Sequence, residues 1–266
     1  MPLSRSTYYF EISKEDVVAN RNKDIMHEIS EIFTYNKGRY GVRRVHRELI
    51  RRGYKINHKR VQRLMHEAGL LGKRPKEKYH SYKGEVGKIA ENIVNRDFST
   101  TAPLQKWTTD ISQFNFIWGK CYISPILDMN TNEIISYDLS TSPNLEQVHR
   151  MLAKAFDKFP DLKGLIFHSD QGWQYQHAYY RAELQKRGII QSMSRKGNCY
   201  DNSIMETFFG RLKNEMYYGY EKEYKSFEEF EKAVEKYVDY YNNERIQSKT
   251  KWMPPVKYRE ASICST

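Results

Sequence analysis

The order of strand and helix patterns after Pro103 is the strongest constraint on how this chain folds. Residues 106–114, 121–128 and 133–139 read as strands rich in β-branched and aromatic side chains, the last two joined by the turn Met129-Asn-Thr-Asn132. Asn144 then stands as the cap of an amphipathic helix whose apolar face carries Leu145, Val148, Leu152, Ala155, Phe156 and Phe159. A buried strand at 164–168, a helix near 176–187, a strand at 189–193 and a helix beginning near Ser203 complete the series. The order β-β-β-α-β-α-β-α predicts a mixed α/β layer architecture. Pro125 is out of place in a central strand, since it brings no N–H to a ladder.

Ahead of this unit the pattern is helical and basic. Ile25, Ile29, Ile32 and Phe33 mark one helix, and Val42, Val45, Leu49 and Ile50 a second that ends at Gly53. Val61, Leu64 and Met65 mark a third, between Asn57 as cap and Gly69 as stop. From residue 36 to 88 there are 17 Lys/Arg against four acids, an excess of +13 in a chain whose total is +11, so the remainder sums to −2. One sign of charge collected in a fifth of the chain is the footprint of a polyanion partner, nucleic acid first. Three short helices with Arg43, Arg44, Lys59, Arg60 and Arg63 on the second and third suit a helix-turn-helix that contacts DNA through those side chains; the competing reading is a helical bundle with a basic surface. The domains expected are a tail at 1–20, the helix-turn-helix at 21–72, a basic linker at 73–100 that also lies on phosphates, a catalytic core at 101–221, and a C-terminal helix with a basic tail at 222–266.

No apolar run approaches the ~18 residues of a membrane helix. The first residues have no hydrophobic signal core, and three widely spaced cysteines suggest no disulfide framework. A cytoplasmic location follows as the expectation.

Three acids fall where ligands collect in such a fold: Asp110 on the first strand, Asp170 beyond the C-terminal end of the fourth, and Glu206 in the first turn of the last helix of the series. Singly each has a bland explanation. Ser203-x-x-Glu206, for instance, is a capping-box pattern. Together they form a candidate divalent-metal site, because acids brought close need a cation to neutralise them. Asp128, Asp138 and Asp201 rank below them, the first two flanking a turn and the third suiting a pre-helix turn. An all-oxygen donor set favours Mg²⁺ or Mn²⁺ over zinc, and two such ions suit in-line phosphodiester displacement. His168 reads as a core histidine first and a general base second. No Gly-x-x-x-x-Gly-Lys loop or Gly-x-Ser-x-Gly elbow is present.

Trp107-Thr-Thr-Asp110-Ile-Ser, His168-Ser-Asp170-Gln-Gly-Trp-Gln-Tyr and the run from Ser194 through Glu206 to Lys213 resemble the OrfB transposases of bacterial insertion sequences, in the IS-three family. Tyr40-Gly-Val-Arg-Arg-Val-His-Arg-Glu-Leu resembles the helix-turn-helix that precedes their core. The 35 residues between Asp170 and Glu206 match the spacing this family shares with retroviral integrases, and Lys213 matches its trailing basic residue.

The resemblance implies a ribonuclease H-like integrase core, a mixed five-stranded sheet with flanking helices. It implies that Asp110, Asp170 and Glu206 bind Mg²⁺, with two ions present when DNA is bound, and that Lys213 approaches DNA near the cleaved phosphate. It further implies a homo-oligomer on insertion-sequence terminal repeats and target DNA, and an upstream OrfA product as partner. Gly210, without a side chain one turn after Glu206, leaves room for a DNA backbone. The retroviral zinc module, which needs paired histidines and cysteines, is not expected here, since no cysteine precedes Cys121. Gln247 stands two residues after Arg245 where many relatives have His, and no zipper pattern is found. The function expected is a DNA transposase that cuts element ends and joins the 3′-OH. The alternatives are a metal-dependent nuclease of ribonuclease H type and a catalytically inactive DNA-binding regulator.

Overall fold

The computed structural model describes residues 4–72 and 88–264. Two compact units divide the chain, one before residue 75 and one from Pro75 onward.

In the first unit, α1 (Arg5–Tyr35), α2 (Val42–Arg51) and α3 (His58–Glu67) pack around Ile25, Ile29, Ile32, Val45, Leu49, Val61, Leu64 and Met65. Residues 1–20, expected to be a tail or a short lead-in helix, are helical from Arg5 onward, and no Gly or Pro interrupts the chain between residues 5 and 35. Asn57 caps α3 as expected, its side chain accepting the N–H of Lys59 at 2.9 Å.

The second unit carries the mixed sheet, with strands β1 (Lys106–Thr109), β2 (Ser112–Phe116), β3 (Gly119–Asp128), β4 (Ile134–Ser140), β5 (Ile166–Ser169) and β6 (Ile190–Met193). β1 and β2 run against β3 in one unbroken antiparallel register, Thr109 opposite Ile126 and Ser112 opposite Ile123. They are therefore one strand interrupted at Asp110–Ile111, and the sheet has the expected five lanes. The same register sets Pro125 opposite Asp110. A residue without an N–H is tolerated there because the ladder is already broken. β4 pairs with the other edge of β3, while β5 and β6 continue the sheet in parallel beyond β1.

Alternation along the first lane assigns the two faces. Trp107 packs with α4 (Leu145–Lys158), α6 (Ala178–Lys186) and Phe167 in the main core, together with Val148, Met151 and Leu152. Thr108 and Phe114, of the other parity, meet α7 (Ser203–Leu212) and α8 (Phe227–Asn243), through Asn202 and Phe230 respectively. A short helix α5 (Trp173–Gln176) precedes α6.

Of the expected basic linker, residues 73–87 lie outside the described residues. Beyond them the segment docks on the sheet: the N–H groups of Ile93 and Val94 donate to Ser192 Oγ, and Met193 N–H donates to Glu91 O. This covers the exposed edge of β6, so residues 90–94 belong to the core and not to a phosphate-lying linker. The basic tail after α8 is ordered too. Gln247 bridges Met253, and a further helix, α9 (Pro255–Ile263), packs against α8. Among the described residues no helix is long and apolar enough to cross a membrane.

Candidate active site

The strand interruption positions the first acid. Asp110 follows β1, is 8% exposed, and accepts the N–H of Ile111 on Oδ1 at 2.7 Å. Thr108 pairs with His168 across the parallel β1–β5 ladder, and two residues further that register sets Asp110 beside Asp170, the residue just after β5. Both acids thus stand at the C-terminal ends of adjacent parallel strands. Asp170 Oδ1 accepts the N–H of Gly172 at 2.9 Å. A Cβ on Gly172 would lie 2.5 Å from Gln174 Nε2 and 2.9 Å from that same oxygen, so the loop closes around Asp170 only with glycine there.

Electrostatics tie the two acids together. Tyr175, fully buried beneath them, has its hydroxyl 3.4 Å from Thr109 Oγ1; burial first, then the charges of Asp110 and Asp170, keep the phenol protonated. Burial pushes the Asp170 carboxyl above its ordinary range, opposed only by the Gly172 hydrogen bond. Among the described residues no cation offsets it.

Glu206 is carried by α7. The start of that helix is pinned to the sheet: Asn202 Oδ1 accepts from Thr108 Oγ1 at 2.6 Å, and Asn202 Nδ2 donates to Thr109 O at 3.3 Å. Asn202 therefore makes no side-chain cap, and α7 has none. The capping box that Ser203-x-x-Glu206 suggests is not found, because the sheet takes Asn202 and Ser203 is already helical. Glu206 does not fold back on the backbone either. It is half-buried on α7, and burial alone raises its pKa. Gly210 is exposed, with open space where a Cβ would stand. Lys213 begins a π-helical turn, Lys213–Tyr217, and its ammonium lies 5.1 Å from the centre of the Phe114 ring. Burial lowers its pKa while Asp110 pulls it back up, so Lys213 is drawn toward the first acid.

The lower-ranked acids are all engaged elsewhere. Asp128, fully buried, accepts the N–H groups of Leu104, Asn130 and Thr131 and thereby shapes the β3–β4 turn. Asp138 pairs with Arg150 at 2.8 Å and Lys154 at 2.9 Å. Asp201, also buried, is held well below the usual carboxylate range, chiefly by Arg195, with Arg96 adding to it. His168 is fully buried, its Nδ1 2.9 Å from Ser192 Oγ, and burial pulls its pKa down to about 4. It is a neutral core histidine and not a base. Of the three candidates, Asp110 and Asp170 share adjacent strand ends, with Lys213 an electrostatic neighbour of Asp110, and Glu206 is carried by α7. They are not gathered around a single point: among the described residues no three of His, Cys, Asp and Glu are placed to hold one ion. Tyr175, Gly172 and Asn202, to which the sequence reading gave no part in the site, are residues that the structure places around these acids and the start of α7.

The comparisons with known proteins decide the family. Residues 100–199 match the integrase core domain family, residues 206–263 a second integrase core domain family, and residues 19–78 an HTH-like domain. An uncharacterized transposase-like protein of Haemophilus influenzae is 54% identical over 214 residues, covering 80% of this chain and 98% of the relative. The putative transposase InsK for insertion sequence element IS150 of Escherichia coli is 45% identical over 260 residues, covering 97% and 90%. This chain belongs to the IS-three, OrfB-type transposases of insertion sequences. A chain of the simian T-cell lymphotropic virus intasome in complex with PP2A regulatory subunit B56 gamma shares the fold of this transposase. It superposes with a TM-score of 0.52 at 11% identity, covering 87% of this chain and 74% of that one. The integrase-core expectation is borne out.

On the first unit of the transposase, Arg43, Lys59 and Arg63 are exposed, Arg63 within 3.5 Å of Glu67. Arg44 lies over the Tyr40 ring, and Arg60 donates to Asn22 at 2.6 Å. Of the five DNA contacts expected on this unit, three are exposed, Arg63 among them being paired with Glu67, and two are partly occupied within the domain.

Proposed function

We propose that this DNA transposase cuts and joins strands with Asp110, Asp170 and Glu206 as its catalytic acids, holding Mg²⁺ or, in its place, Mn²⁺. One observation carries the reading: Asp110 and Asp170 sit side by side in register at strand ends, with Asp170 buried and held only by the Gly172 N–H, while Asp138 and Asp201 are ion-paired and Asp128 is taken up by three backbone N–H groups. The donor set fits a hard divalent cation, being all oxygen and carrying more negative charge than its surroundings offset. What such ions supply in an oxygen cage is neutralisation at a phosphodiester and an acidified water or 3′-OH.

The remaining roles belong to the chain itself. Gly172 fixes one oxygen of Asp170, and Asn202 anchors α7 so that Glu206 stands one turn beyond the anchor. Tyr175 keeps water and competing charge from beneath the two aspartates. Gly210 leaves the face beside Glu206 open to a DNA backbone, and Lys213, released from Asp110 once that acid is neutralised, serves the scissile phosphate. Exposed cations on α3 hold duplex DNA, and assembly of several copies on element ends, with an OrfA product, completes the active form.

Strand transfer on oligonucleotides carrying element ends, in Mg²⁺, tests the assignment. Glu206→Gln and Asp170→Asn should each reduce joined product by at least about a hundredfold, the loss of ~3 kcal/mol of transition-state stabilisation. Wild-type joining by either variant would refute the triad, and cleavage of RNA–DNA hybrids without joining would make the protein a nuclease.

A further inference from the structure

On the flank of α7 away from its buried face lies an open cavity of about 170 Å³, bounded on its other side by the β3–β4 turn and the segment after α8. Leu127, Phe208 and Tyr241 form its apolar wall, and its polar lining is Asn132, Ser203, Thr207, Arg211 and Lys249, with no acid among the residues that line it. Arg211 spends one N–H on Gln247 Oε1 at 3.2 Å. Lys249 donates to Met129 O and, at 3.4 Å, to Asn132 Oδ1.

Three observations point to an anion. First, two cations share the lining, and like charges held together are unfavourable unless something negative lies between them. Burial lowers the Lys249 pKa, Asp128 pulls it back up, and the Arg211 charge adds to the lowering. Second, Gln247, 3% exposed, bonds both Asn132 and Arg211 through its oxygen, which leaves its buried Nε2 without a partner beside the cavity. Third, Ser203 and Ile204, the first residues of the ten-residue helix α7, line the cavity, and no side chain caps that helix. The helix dipole favours negative charge at that end.

We propose that this cavity is a phosphate site that seats one backbone phosphate of the DNA strand passing over α7. The proposal rests on the reading of the chain as a transposase. Thr207 and Arg211 follow Glu206 and Gly210 by one residue each, so a strand crossing the open Gly210 face would be gripped at its side by this site. Gln247, which departs from the family pattern, would serve by orienting Arg211 and offering its amide.

Equilibrium binding of a fluorescent random-sequence duplex to the full chain in EDTA, across a salt series, tests this without catalysis. Arg211→Gln, and Thr207→Glu at the exposed rim, should each weaken binding by about tenfold. Each should also lower the slope of log K against log salt by about one. Circular dichroism melts verify that both variants are folded. Unchanged affinity and slope in both Arg211→Gln and Thr207→Glu would overturn the proposal. So would melting stabilisation by inorganic phosphate that Arg211→Gln abolishes while duplex binding is unaffected, since the site would then take a free anion. A wild type that binds no duplex would refute the transposase reading instead, leaving the phosphate melts to judge the cavity alone.

Discussion

At Asp170 the fold keeps an acid where its charge is costly. Burial raises its pKa and only the Gly172 N–H opposes the shift. A carboxyl whose folded-state pKa lies above its unfolded value favours the fold while protonated and loses that contribution as pH rises through the folded pKa. At neutral pH, without metal, Asp170→Asn should therefore melt about 2–4 °C above the wild type. The gain should vanish as pH falls into the ordinary carboxylate range, where both forms are neutral. Mg²⁺ should raise the wild-type melting temperature and leave Asp170→Asn unmoved. Scanning fluorimetry at two pH values with and without Mg²⁺ measures all of this, and a variant less stable than the wild type at neutral pH would contradict it. The three candidate acids could be singled out in the sequence because the motifs around them are contiguous and stand at a fixed spacing. Tyr175 was not, because its importance comes from lying beneath Asp110 and Asp170, a relation made by the sheet and absent from any local pattern.

Among the elements, two identical patterns have opposite outcomes. Ser226-x-x-Glu229 caps α8, with Ser226 Oγ accepting the Glu229 N–H at 3.3 Å and Glu229 accepting the Lys225 N–H. Ser203-x-x-Glu206 caps nothing, since the preceding turn (Cys199–Asn202) is already wound and its last residue is bonded to β1. Local chemistry proposes a cap and tertiary contacts decide it. The strands and α4 followed from periodicity, whereas α9 has only Pro255 fully buried and gives no apolar stripe to read. The same region hides a buried ion pair. Arg245, 1% exposed, meets Glu215 at 2.6 Å, and although burial works against it, the Glu215 charge holds the guanidinium above its ordinary range. Arg245→Ala should cost about 3–5 kcal/mol, because Glu215 is left unpaired, while replacing both residues with Met should restore most of the loss. Urea denaturation of the wild type and the two variants checks this. If Arg245→Ala instead left stability intact and weakened DNA binding, the arginine would be a DNA contact after all.

At the scale of the whole molecule, the chain divides its labour by charge. The basic excess falls in and just after the three-helix unit, while the core that carries the acids is close to neutral. That division was plain in the sequence, because charge can be counted without knowing the fold. It predicts two separable kinds of DNA contact. The exposed Arg43, Lys59 and Arg63 would neutralise phosphates at a distance from the chemistry, and the core would add few contacts, each near Glu206. The slope of log K against log salt reports the number of phosphates neutralised, at about 0.9 per contact on duplex DNA. Changing Arg43, Lys59 and Arg63 together to Ala should lower that slope by about three and weaken non-specific binding at every sequence alike. A chain beginning at residue 88 should lose more of the slope than the triple variant, since it also lacks the cations between 73 and 88. If the slope survives both changes, the basic block has another partner and the duplex is held by the core alone.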